Sequence, residues 1–166
     1  MFYGVSSAQK FTTEKSKVTF FSSAAIEDIT AENSKAASIY NHETSEVAFS
    51  IPIKEFEFEK SLMKEHFNEK YMDTEKYPKA TFQGKFSGFG SGTGVQSVQA
   101  KGKLTIHGIT REVDIPGTME SVDGKINAKA MFKIKLEDYK IKIPQLLWQN
   151  IAEEVEVTVE FTYKPL

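Results

Sequence analysis

The three histidines of the chain, His42, His66 and His107, are its first candidates for metal binding or proton transfer. None of them stands two or four residues from another, and no H-E-x-x-H occurs, so the spacing that places two ligands on one face is absent. His107 precedes a glycine in LTIHGIT, residues 104–110, between two segments of β-type pattern. The spacing predicts no metal site. The glycine beside His107 and the strand patterns on both sides favour a turn residue that faces outward near the tip of a hairpin.

Other catalytic groups lack the context that they would need. Cysteine is absent, which excludes thiolate nucleophiles, disulfides and cysteine-ligated zinc or iron–sulfur sites. No serine stands in G-x-S-x-G between a strand and a helix. The carboxylates fall mostly on outward positions of the strand pattern, which a solvated surface explains better than a glycosidase pair; they include Glu57, Glu59, Glu137, Asp138, Glu153 and Glu154. We therefore expect no catalytic residues, no metal and no cofactor.

Composition sets the class of protein. The chain has 166 residues, which suits one domain, and a net charge of -2 without a basic block. Nucleic-acid binding consequently has little electrostatic support. No apolar run approaches the roughly 20 residues of a membrane-spanning helix.

Alternation of apolar and polar residues with period two runs through most of the chain and predicts half-buried strands. The clearest segments are EVAFSIPI, KATFQGKF, VQAKGKLTI, REVDIPGTM, KINAKAMFKIKL and EEVEVTVEFTY. Asp123-Gly124 predicts a type I′ hairpin turn, and GFGSGTG at 88–94 is interpreted as a hairpin tip because no helix follows it to bind a phosphate. Short turns between strands predict an all-β, antiparallel barrel of about eight strands.

Two segments have helical spacing instead. SLMKEHFNEKYM at 61–72 places apolar residues on one side, with Ser61 as the expected N-cap. IPQLLWQNIAEE at 143–154 carries Pro144 in its first turn. We expect both short helices to cover the ends of the barrel; the alternative is that either one simply seals the core.

The inward faces combine phenylalanine with small residues such as Ala100, Gly84 and Gly102. Glycine in a strand marks either a bend or room for a close neighbour, so a ligand cavity and a fully packed barrel both remain open. If the cavity exists, we expect an elongated apolar ligand. The residues expected to line it are Phe20, Phe49, Ile51, Phe67, Phe82, Phe86, Leu104, Phe132, Ile134 and Trp148. The alternatives are a small enzyme or isomerase acting on a hydrophobic substrate, and an interaction protein with a filled barrel.

The first residues suggest export. Met1 to Val5 are mostly apolar and are followed by small residues at Ser6-Ser7-Ala8, the pattern that signal peptidase recognises. We expect residues 1–8 to be the remnant of a signal peptide and residues 9–166 to form the single domain. A frayed N-terminus is the other interpretation.

Two motifs carry a resemblance to a known family. EKYMDTEKYPKATFQGK at 69–85, followed by GKLTIHGITREVDIPG at 102–117, resembles the YceI-like family of lipid-binding proteins. The ending of the chain is similar to Bacteroidetes-type members. The chain departs from the family pattern at 59–63, where many members carry Arg-Asp-x-His-Leu and this one reads EKSLM, and in KIKLEDYKIKIP, which lacks an arginine that many members have.

The resemblance implies a lipocalin-like barrel with an elongated apolar interior. It also implies a periplasmic location and binding or carriage of a polyisoprenoid, an isoprenoid quinone or a fatty acid, without catalysis. The expected partner is thus a lipid-like small molecule, and a homodimer is a further possibility. The position of His107 at the turn predicts, separately from the resemblance, that His107→Ala leaves ligand binding intact and that the hydroxyls of Thr105 and Thr110 can bond to nearby backbone groups.

Overall fold

The computed structural model describes residues 10–23, 28–142 and 153–166, most of them in antiparallel strands. The strands are β1 Lys10–Ser22, β2 Ile29–Asn33, β3 Ala37–Asn41, β4 Glu46–Pro52, β5 Glu57–Phe58, β6 Lys79–Ser87, β7 Gln96–Ile106, β8 Ile109–Val122, β9 Lys125–Lys135 and β10 Glu154–Pro165. The sheet order is β10-β9-β8-β7-β6-β4-β3-β1-β2-β5, and β10 also pairs with β1. The pairing of β10 with β1 closes eight strands into a barrel, namely β1, β3, β4, β6, β7, β8, β9 and β10. The alternation predicts such a barrel.

The strands β2 and β3 lie end to end against β1. β1 pairs with β3 at residues 10–12 and with β2 at residues 18–22. Its register with β10, on the other side, shifts between Thr13 and Lys15. The hydroxyl of Thr13 accepts from the amide of Ser38 at 2.6 Å and donates to its carbonyl at 3.1 Å. A side chain thus joins β1 to β3 just beyond the last pair of their backbone ladder.

The helical segment covers nearly the residues that its pattern predicts, but only its first half is α-helical. α1 covers Ser61–His66 and continues into a π-helical turn, Phe67–Tyr71. Ser61 is wrong as the N-cap, because extended Lys60 precedes the helix without a side-chain cap and Ser61 is already the first helical residue. Within the described ranges, no helix is long and apolar enough to cross a membrane.

The second predicted helix, at 143–154, falls mostly outside the described residues, and its last residue, Glu154, begins β10 instead. Trp148 and residues 1–8 also lie outside them.

Two-residue turns close two of the hairpins. Asp123 and Gly124 have φ of 52° and 80°, the positive pair that a type I′ turn requires. His107 and Gly108 have φ of 55° and 76°, so the β7–β8 turn is also of two residues. The rest of HGITRE, residues 109–112, belongs to β8. The glycine-rich stretch at 88–94 is a hairpin loop, as predicted, in which the Gln96 side chain accepts from the amide of Gly90 at 2.8 Å.

Paired glycines mark where β6 and β7 approach most closely. Gly84 faces Gly102 across the ladder. A Cβ on Gly84 would lie 2.1 Å from the carbonyl oxygen of Lys101, and one on Gly102 would lie 2.2 Å from that of Gln83. These two glycines therefore allow the close approach of the two backbones, and they are not among the residues that line the cavity.

The pairing of β8 with β9 covers only half of each strand. It runs from Val122↔Lys125 to Gly117↔Ala130 and stops there. The next residue of β8 is Pro116, which has no N–H to offer a ladder. Residues 109–116 remain paired with β7, and residues 131–135 with β10. The two strands therefore part beyond Gly117 and Ala130.

Candidate ligand-binding cavity

An apolar cavity lies inside the barrel, against the inward faces of six strands. The centres of water molecules can occupy about 90 Å³ of it, against the roughly 10–15 Å³ that one buried water requires. Its lining is Phe49, Ile51, Phe82, Phe86, Val98, Ala100, Leu104, Ile115, Gly117, Thr118, Met119, Ala128, Lys129, Ala130, Phe132, Val159 and Phe161. Thr118 and Lys129 are its polar members, and both belong to the outward face where β8 meets β9.

The structure brings six of the ten expected ligand-lining residues together in this cavity. They are Phe49, Ile51, Phe82, Phe86, Leu104 and Phe132. Ile134 continues the inward face of β9 and packs against the core, but it does not line the cavity. Phe20 and Phe67 line a separate apolar pocket of about 50 Å³.

That second pocket sits beside a cluster of four phenylalanines at the α1 end of the barrel. The ring of Phe20 lies 5.3 Å from that of Phe67, centroid to centroid, and 5.2 Å from that of Phe56. Phe58 lies 5.0 Å from Phe67, whose side chain is buried. Such aromatic contacts stabilise the fold by more than the burial of their surface alone contributes. The interactions of Phe67 are those of a residue that seals the core.

The opposite end of the barrel is closed by tyrosines. Tyr40 and Tyr163 are fully buried, and their ring centroids lie 6.0 Å apart. The hydroxyls of Tyr163 and Ser38 are hydrogen-bonded at 2.6 Å, and the Tyr40 hydroxyl reaches Nδ1 of His42 at 2.8 Å. Phe11 stacks on Tyr40. Each buried hydroxyl has a partner, which buried polar groups require.

Burial changes the ionisation of these tyrosines. Removal from water disfavours the charged phenolate and raises the pKa of Tyr40 to about 12. Burial also raises the pKa of Tyr163, against the opposing effect of its hydrogen bond to Ser38. This polar closure is absent from the sequence prediction. The alternation assigns Tyr163 to an inward face, and nothing in the residues around Ser38 indicates that its hydroxyl is the partner.

His107 is the turn residue that the sequence predicts, but it does not simply face outward. Its ring is half-buried against Tyr77, with centroids 4.7 Å apart, and its Nδ1 lies 3.1 Å from the carbonyl oxygen of Tyr139. The expectation for Thr105 and Thr110 is wrong. Their hydroxyls bond to each other at 2.7 Å because the tight turn places the two residues opposite one another.

The three histidines lie apart. His42 contacts Tyr40, His66 ends α1 and His107 contacts Tyr77 and Tyr139. In the described part of the chain, no three histidine or carboxylate side chains gather as metal ligands would. The described cavity lining includes no histidine, carboxylate or tyrosine. Its surface can bury apolar chains, and its ionisable member, Lys129, is an exposed residue of β9.

Comparison with known proteins agrees with this geometry. A family model described as a YceI-like domain matches residues 9–163. A polyisoprenoid binding domain from Saccharophagus degradans, implicated in plant cell wall breakdown, has 15% identity and a TM-score of 0.82 over 94% of this chain and 98% of its own. BcnA from Burkholderia cenocepacia has 19% identity and a TM-score of 0.75 over 89% of this chain and 95% of its own.

A YCEI protein from Campylobacter jejuni has 18% identity and a TM-score of 0.52 over 98% of this chain and 88% of its own. At such identities these likenesses concern the fold. No curated protein matches the chain.

Proposed function

The chain belongs to the YceI-like domain family, and from that premise we propose that it binds a long-chain apolar amphiphile inside its barrel. The observation that carries this proposal is the cavity itself, which is lined almost entirely by aliphatic and phenylalanine side chains from six strands. Each methylene group that leaves water there contributes about 0.8 kcal/mol. A long hydrocarbon chain therefore needs few polar contacts to bind.

The apolar lining of the site and the description of one similar structure support our choice of ligand class. The solved domain from Saccharophagus degradans is described as polyisoprenoid binding, and the same chemistry suits the lining here. We take a polyisoprenoid, an isoprenoid quinone or a fatty acid as the ligand. Carriage of such a molecule in the periplasm would agree with the signal-like residues Ser6-Ser7-Ala8.

Binding, and not catalysis, is the activity that the lining supports. An isomerase or hydrolase working in the same cavity would need a general acid, a general base or a nucleophile within reach of the substrate. The described lining offers Thr118 and Lys129 as its polar residues, both on the outer side of the wall. We therefore place the protein among binding and carrier proteins.

The test is native mass spectrometry of protein purified gently from its host, followed by thermal-shift titration with an isoprenoid quinone and with a fatty acid. We expect a co-purified lipid or a rise in melting temperature with one of these ligands. A chain that carries no lipid and responds to neither ligand would count against the proposal.

A pair of variants makes the location of the ligand testable. Ala100→Phe fills the cavity from β7, and we expect at least a tenfold loss of affinity. Gln99→Phe places the same ring on the exposed outer face of the same strand and should leave affinity within twofold. Melting temperatures of both variants control for the strain of overpacking. Equal affinities would place the ligand elsewhere.

A further inference from the structure

The barrel wall lacks backbone pairing on one side, between the halves of β8 and β9 that lie beyond Gly117 and Ala130. Beyond the Gly117↔Ala130 pair, residues 109–116 and 131–135 have no ladder between them. We call this gap the window. Its two edges carry inward-facing apolar side chains that are only half-buried, Val113 and Ile115 on β8 and Phe132 and Ile134 on β9.

The window communicates with the cavity. Ile115 and Phe132, one from each edge, both line it, and so do Gly117 and Ala130 at the point where the strands part. Phe82 and Leu104 on paired strands are buried, but Phe49 and Ala100, also on paired strands and in the cavity lining, are half-buried like the edges. The missing ladder, and not the half-exposure, is therefore what distinguishes this part of the wall.

A short turn frames the window at its far side. Leu136–Tyr139, which we call the strap, is a 3₁₀ turn that follows β9 directly. It is tied across to the β7–β8 hairpin through the contact of His107 with the Tyr139 carbonyl at 3.1 Å. Arg111 of β8 adds an ion pair with Asp138 at 3.9 Å. The strap therefore spans from one edge of the window to the other.

The described ends of the barrel are packed more tightly than its side. At one end Tyr40, Tyr163 and Phe11 are buried together, and at the other Phe67 and Phe56 are buried against Phe20. Moving a chain through either cluster would separate packed aromatic rings. Between the described strands β8 and β9, the side of the wall offers a route with no ladder hydrogen bonds to break, since their pairing ends at Gly117 and Ala130.

From these observations we infer that the ligand enters and leaves the cavity sideways, with its hydrocarbon chain passing between β8 and β9. The inference rests on the proposed function and adds its route of exchange. Val113, Ile115, Phe132 and Ile134 would guide the chain, and the strap with His107 and Arg111 would limit how far the edges separate. Such a gate sets the rates of uptake and release and leaves the equilibrium affinity to the cavity.

Bridging the window tests the route, and the absence of native cysteine makes it practical. Asp114 lies three residues before Gly117 and Lys133 three after Ala130, so the two would face each other if the ladder continued, and both are exposed. Asp114→Cys/Lys133→Cys is bridged with a short bis-methanethiosulfonate. The matched control is Glu120→Cys/Asn127→Cys, a register pair in the half that is already joined.

The probe is cis-parinaric acid, followed by stopped-flow fluorescence. We expect the bridged window to slow both uptake and release at least tenfold, with recovery on adding dithiothreitol, and the bridged control to change less than twofold. Unchanged rates in the bridged window would overturn the sideways route while leaving the binding function intact. If the unmodified protein bound neither the probe nor farnesol, both proposals would be overturned.

A second pair of variants protects the test against misfolding of the cysteine variant. Ile134→Trp enlarges a half-buried side chain on the edge of the window, and Lys133→Trp places the same ring on the exposed outer face. We expect slower exchange for Ile134→Trp alone. Equal exchange rates in the two folded variants would again contradict the window.

Discussion

The Nδ1 atom of His107 lies 3.1 Å from the carbonyl oxygen of Tyr139, 32 residues further along the chain. A carbonyl oxygen only accepts hydrogen bonds, so Nδ1 carries the proton and donates it. The contact joins the turn between β7 and β8 to the strap after β9. A residue that the sequence presents as a turn thus also holds two distant segments together.

The first prediction concerns this contact. In His107→Asn the turn should survive, because asparagine tolerates the positive φ of 55° at this position. The tie to the strap is lost, so we expect the release rate of cis-parinaric acid to rise severalfold while its equilibrium affinity stays within twofold. Stopped-flow and equilibrium fluorescence measure the two. His66→Asn, which lies away from the strap, is the control. If folded His107→Asn lost equilibrium affinity, the result would contradict this prediction and indicate that the His107 ring contacts the ligand.

The second prediction concerns the glycine pair of β6 and β7. Gly102→Ala should lower the free energy of unfolding by about 1–3 kcal/mol, the usual range for overpacking, because its Cβ would meet the Gln83 carbonyl at 2.2 Å. Guanidinium denaturation measures the loss. Gly92→Ala is the control, since the nearest atom to its Cβ is a flexible Gln96 side chain at 3.8 Å. Equal stability of the two variants would show that β6 and β7 are not as close as described.

The third prediction concerns the buried hydrogen bond between Ser38 and Tyr163. Tyr163→Phe leaves the Ser38 hydroxyl buried without this partner, and such a group costs about 1–3 kcal/mol. We expect Ser38→Ala/Tyr163→Phe to lose less stability than the sum of the two single variants. A double-mutant cycle from urea denaturation measures the difference. Strict additivity would mean that the 2.6 Å contact contributes nothing.

The fourth prediction is a loss of stability in alkali. Burial raises the pKa of Tyr40 to about 12 from its ordinary value of 10.0. Below pH 10 the phenol is protonated in both states, and its contribution to stability is complete. Above pH 10 the unfolded chain releases the proton and the folded chain retains it, so the free energy of unfolding falls until about pH 12.

Denaturation midpoints between pH 8 and pH 12 measure this fall, and Tyr40→Phe should make it smaller, while Tyr163, whose pKa burial also raises, still contributes. Tyr77→Phe serves as the control because Tyr77 is only partly buried. A fall of the same size in Tyr40→Phe would assign it to other groups.

Much of the fold was predictable because strand alternation is a local property. Val18, Val47, Phe82 and Phe161 each follow a period of two, and each is buried as that period predicts. The type I′ turn at Asp123-Gly124 was equally local, since two adjacent residues carry its whole signal. The N-cap at Ser61 was wrong because the choice between first helical residue and cap depends on how the preceding chain enters the helix.

The cavity was only partly predictable for a similar reason. Alternation assigns Phe20 and Phe82 alike to an inward face, but it does not say at which height in the barrel each ring lies. Closure of β10 on β1 and the stagger of the strands put Phe82 in the main cavity and Phe20 in the cluster at the α1 end.

By itself, the sequence determined the all-β class, the faces of the strands and the apolar character of the interior, since these depend on residues one or two positions apart. The tertiary structure alone decided where the β8–β9 ladder stops, which rings close each end and what His107 touches. Those features arise from pairs such as His107 with Tyr139 and Ser38 with Tyr163, which are 32 and 125 residues apart. Only a closed barrel, with its register set all the way round, brings such residues into contact.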